Sequence, residues 1–102
     1  MNMEVQQMME IHDNAFARQF ETNLNGNLIT VEYSFQERKI FLTRINLPDD
    51  FDNEEYVDEL IKNILEIAEE RKLKVVPIYP RITKFFRKYK AYKDLLPPGI
   101  RI

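Results

Sequence analysis

The run Leu24-Asn25-Gly26-Asn27 constrains this chain more than any other stretch. Asn-Gly supplies the positive φ angles that a tight hairpin turn demands, so strands are expected on both sides of it. Upstream, Phe16, Arg18 and Phe20 alternate and predict a first strand; downstream, Leu28 to Phe35 predicts a second. Gln36 to Lys39 reads as a polar turn into a third strand, Ile40 to Leu47, which Pro48 ends by removing a ladder donor.

The period then changes. Val57, Leu60, Ile61, Ile64, Leu65 and Ala68 recur at three and four, which predicts a helix from near Glu54 with one buried stripe. Asp52 or Asn53 is suited to cap it, and Arg71 and Lys72 suit its negative end. Leu73 to Tyr79 predicts a short strand in which Pro77 requires an edge or a splay. Pro80 is placed as the first residue of a second helix running to about Tyr89, with Ile82, Phe85, Phe86 and Tyr89 inward. The fold class is α+β: an antiparallel β-meander followed by helix, strand, helix. Residues 1–8 are expected as a flexible tail, 9–96 as one domain and 97–102 as a C-terminal tail.

Size and charge remove several classes of function. A chain of 102 residues, 44% hydrophobic, makes one domain with one core. Its net charge of -2 gives no global reason to expect nucleic acid or an anionic membrane. Without cysteine there is no disulfide, thiolate nucleophile or thiolate metal site, which accords with a reducing cytoplasm. No apolar run approaches the roughly 20 residues of a membrane helix.

The charge is uneven. Asp49, Asp50, Asp52, Glu54, Glu55, Asp58 and Glu59 crowd one strand-to-helix junction, a place where backbone amides and the helix dipole ordinarily favour an anion. The acids either cap the helix or fill such a site with repelling charge. They lack the glycine and spacing of a calcium loop, so no metal is expected. Arg81, Lys84, Arg87 and Lys88 with Tyr89 and Tyr92 have the composition of a nucleic-acid grip, but Phe85, Phe86 and Tyr89 are spaced as a core stripe and nucleic acid is not expected. His12, the single histidine, reads as a structural or surface residue.

Phe20, Asn25-Gly26, Glu32-Tyr33, Leu47-Pro48, the helix with Leu60, Ile61 and Ala68, Leu73-Lys74-Val75-Val76-Pro77 and Phe85-Phe86 before Tyr89 stand in a familiar order. Over about residues 9 to 95 the chain resembles the smallest single-domain members of the GNAT N-acetyltransferase superfamily. The resemblance implies a GNAT-like fold and acetyl transfer from acetyl-CoA to an amine. It places the cofactor against the backbone of Asn46, Leu47 and Pro48 and the amides of Asn53, Glu54, Glu55, Tyr56 and Val57. The chain departs from the family where the pyrophosphate loop is glycine-rich, since Asp52, Asn53, Glu54 and Glu55 stand there. The family's His-Thr pair becomes Arg44-Ile45, and its acyl-proximal cysteine becomes Tyr79, which then stands as the candidate to protonate the leaving thiolate. The acidic junction suits a cationic amine substrate or a basic protein partner, with the chain a monomer or weak homodimer. The alternative is a GNAT-fold interaction module without catalysis, its acidic helix start facing a basic partner such as the second helix of another copy.

Overall fold

The computed structural model describes residues 9–102; the expected tail over residues 1–8 lies outside the described residues. Its first element is a strand, β1 (His12–Asn14), where none was expected. Phe16 and Arg18, expected in the first strand, instead belong to the turn that follows. The Asn14 side-chain oxygen accepts from the Ala17 amide at 3.1 Å, Arg18 takes φ 58°, and Phe16 is 100% exposed. An asparagine that bonds the backbone three residues on competes with strand formation.

The strand proper is β2 (Gln19–Leu24), joined to β3 (Asn27–Gln36) by the Asn25-Gly26 turn. Both turn residues have positive φ, 55° and 83°, and Leu24 pairs with Asn27. Glu37, at φ 59°, helps to turn the chain into β4 (Lys39–Asn46), and α1 (Glu54–Glu70) leads to β5 (Lys74–Pro77). The sheet order is β1-β2-β3-β4-β5, with antiparallel neighbours except for β4 and β5, which run parallel. Pro77 thus sits at the end of an edge strand, where its missing N–H is tolerated.

One core joins the layers. Alternate residues Ile29, Val31 and Tyr33 of β3 are buried with Val57, Leu60, Ile61, Ile64, Leu65 and Ala68 of α1 and with Ile82, Phe85 and Phe86 of α2 (Pro80–Lys88). Burying such aliphatic and aromatic side chains contributes about 1.5–3 kcal/mol apiece. A 3₁₀ helix over Lys90–Leu95, absent from the sequence reading, brings Tyr92 against Phe85 at a centroid distance of 5.4 Å. Beyond it Pro97 is buried and Ile102 packs on the core.

The caps of α1 are specific. Asn53, rather than Asp52, is the N-cap, its side chain accepting from the Tyr56 amide at 3.1 Å. At the other end Lys72 takes φ 60°, its amide donates to Glu69 O at 3.0 Å, and the Leu73 amide donates to Ala68 O at 2.9 Å. This is a Schellman arrangement with lysine where glycine is usual. Arg71 turns away from the helix end and pairs with Asp13 at 2.9 Å.

Candidate functional site

The sheet opens where β4 and β5 part. They pair only from Lys39 with Lys74 to Leu42 with Pro77, and the carbonyl of Leu42 then accepts from both the Ile78 and Tyr79 amides at 3.1 Å. One residue further, β4 carries a bulge: Leu42 faces Tyr33 and Arg44 faces Glu32, leaving Thr43 without an opposite number on β3. Its hydroxyl donates to Glu32 O at 3.1 Å. A bulge bends its strand and raises its twist, so β4 turns away as β5 ends. Residues 43–46 therefore have no strand partner on the β5 side.

Tyr79 leaves the parting as the N-cap of α2, with Pro80 in the first helical turn. Its carbonyl accepts from the Ile82 and Thr83 amides at 2.9 and 3.1 Å. Beside it, between the start of α1 and one face of α2, lies an open cleft of about 360 Å³. Glu54 and Asp58 of α1 form one wall, Arg81, Lys84 and Lys88 of α2 the other, and Tyr79 lines it with Phe85. Asp58 is pinned across the seam, accepting from Lys88 Nζ at 2.8 Å and from the Tyr89 hydroxyl at 3.0 Å. That carboxylate raises the pKa of the Lys88 ammonium above its ordinary value.

Of the residues inferred from sequence, two line this cleft. Tyr79 and Glu54 line it together. Asn46 ends β4 beyond the parting, with its side-chain amide committed to Thr30 Oγ1 at 2.9 Å and Glu32 Oε2 at 2.7 Å; Leu47 and Pro48 follow it, half-buried. The Tyr56 and Val57 amides are engaged by Asn53, and the Val57 side chain is in the core. The amides of Asn53, Glu54 and Glu55 have no acceptor among the described residues. The Tyr56 ring meets Phe51 edge-on at 5.9 Å.

The basic wall was visible in the sequence only as a charged helix face. Phe85 and Phe86 are 2% and 0% exposed, which makes the aromatic stripe core and leaves the intervening Arg81, Lys84 and Lys88 to face α1 across the cleft. His12 lies elsewhere, exposed at a shallow hollow with Glu10 and Glu21 on the β1 side of the sheet. There Glu21 accepts from Asn14 at 2.9 Å and Gln19 at 2.6 Å, and these bonds, Gln19's foremost, hold its pKa below the ordinary value. Among the described residues no three metal-ligating side chains converge, and no helix is long and apolar enough to cross a membrane.

A mostly antiparallel sheet whose meander is followed by helix, strand and helix is the α+β, GNAT-like architecture expected from the sequence. The family model of the GCN5-related N-acetyl-transferases matches residues 19–95, and the chain belongs to that family. A search of curated proteins finds no match.

Proposed function

We propose that the protein transfers an acetyl group from acetyl-CoA to an amine, with the cleft beside Tyr79 as the site. The observation that carries this reading is that Tyr79, bonded through its amide to Leu42 at the β4/β5 parting, lines one cleft with the start of α1 and a basic face of α2. Acetyl-CoA supplies an activated thioester, which an amine attacks directly, so positioning is the chief demand on the protein. The end of β4 through Asn46, which has no partner on the β5 side, would offer backbone to the cofactor together with Leu47 and Pro48. The free amides of Asn53, Glu54 and Glu55 offer donors to a phosphate at the first turn of α1. The site thus fits the cofactor in its donors, while the carboxylates of Glu54 and Glu55 oppose it. Tyr79, which lines the cleft, would give a proton to the departing sulfur. The exposed Asp49, Asp50, Asp52 and Glu55 favour a cationic acceptor such as a polyamine or a lysine-rich peptide, and the absence of cysteine accords with work in the cytoplasm.

Calorimetric titration with acetyl-CoA and free CoA at low and moderate salt tests this reading. Micromolar binding is expected. Silence at millimolar ligand would reject it in favour of an interaction module, whose exposed acids would then hold a basic partner; salt-sensitive self-association in sedimentation would identify that partner as another copy.

A further inference from the structure

The two walls of the cleft are unequally supplied for an anion. On α1, two free amides of the first turn compete with the side chains of the same residues, Glu54 and Glu55. On α2 there is no acid in the first turn. Lys88 is occupied by Asp58, but the side chains of Arg81 and Lys84 make no hydrogen bond or ion pair among the described residues. They stand three residues apart, so both project from one face of α2 into the same opening. The Arg81 amide also lacks an acceptor, since the Tyr79 carbonyl serves the next two amides and the Tyr79 side chain makes no capping bond. Two unspent cations, one free amide and the positive end of a nine-residue helix thus converge on one wall.

We propose that Arg81 and Lys84 are the phosphate-binding residues of this chain, taking the charged phosphates of a CoA thioester in place of the glycine-rich loop ahead of α1. The inference rests on the proposed function, which gives the cleft its ligand. It assigns the electrostatic part of binding to α2 and leaves the α1 start as a set of directional donors with an opposing charge. The guanidinium of Arg81 suits bidentate contact with phosphate oxygens, and Lys84 adds a mobile point charge.

Calorimetry with free CoA over a salt series tests it, using the wild type, Arg81→Gln, Lys84→Gln, the double variant and Arg87→Gln. Arg87 is exposed on the same helix and does not line the cleft, so it controls for overall charge. Each cleft substitution is expected to weaken CoA by about threefold and the pair by about tenfold, with a shallower dependence on salt. Pantetheine, which lacks the phosphates, should bind all variants alike, and thermal melting should be unchanged. Wild-type affinity and salt slope in the double variant would overturn the assignment while leaving the proposed function standing. Equal weakening by Arg87→Gln would overturn it also. Absence of CoA and acetyl-CoA binding in the wild type would instead reject the proposed function and this inference together.

Discussion

The Tyr33 hydroxyl on β3 donates to Asp13 on β1, and the other oxygen of that carboxylate receives Arg71 at the end of α1. Three distant parts of the chain, an edge strand, a central strand and a helix terminus, are thereby tied through one side chain. The Tyr33 ring lies in a row with Phe20 and Phe35, at centroid distances of 4.8 and 4.9 Å.

Burial, followed by the bond to Asp13, pushes the Tyr33 phenol from 10.0 up to about 12. The folded protein therefore holds this proton at pH values where the unfolded chain has lost it. The stabilisation is complete below pH 10 and is lost as pH rises toward about 12. Urea denaturation from pH 8 upward should show a fall in stability over that window, and Tyr33→Phe should flatten it. At neutral pH the same variant should cost about 1–2 kcal/mol.

Lys72→Gly should stabilise the fold. A lysine at φ 60° closes α1, and the left-handed conformation costs an L-residue roughly 1–2 kcal/mol. Glycine adopts it freely but loses more entropy on folding, so a net gain of about 0.5 kcal/mol is expected in chemical denaturation.

Asp58→Ala should loosen the α1/α2 seam, because it removes the acceptor shared by the Lys88 ammonium and the Tyr89 hydroxyl. A loss of about 1–2 kcal/mol is expected by denaturant titration. Lys88→Gln keeps the Tyr89 bond and should lose less.

Glu54→Gln should tighten acetyl-CoA. It keeps the side-chain volume and the free amide while removing the carboxylate from the cleft wall. A gain of about two- to fivefold is expected in the titration, larger at low salt. Weaker binding would show that the carboxylate contributes a contact.

Tyr79→Phe should lower turnover by about 100-fold with little effect on acetyl-CoA affinity, as removal of a proton donor does. The ring would still line the cleft. Unchanged turnover would release the phenol from that role and leave positioning to account for the rate.

Features written in local chemistry were legible before the structure. The Asn25-Gly26 turn, the α1 stripe and the start of α2 at Pro80 each depend on a few adjacent or periodic residues. The first strand was misplaced because Phe16 and Phe20 alternate like strand residues, whereas the Asn14 side chain intercepts the Ala17 amide and folds Phe16 out to solvent. The site was only partly legible for a related reason. The acids at the start of α1 are neighbours in sequence, but the opposing Arg81 and Lys84 reach the cleft only because Ile82, Phe85 and Phe86 bury the other side of α2. Which charges face each other is thus decided by packing across some thirty residues of chain, beyond the range of any local pattern.

The parting of β4 from β5 also bears on solubility. The outer margins of the sheet offer little to an incoming strand: β1 has three residues, and β5 has four and ends in a proline without an amide. A further stretch open to strand addition is β4 at residues 43–46, which has no partner on the β5 side beyond the parting. A ligand seated there would cover the same backbone groups on which aggregation could nucleate, so occupancy would act as a built-in chaperone for the fold.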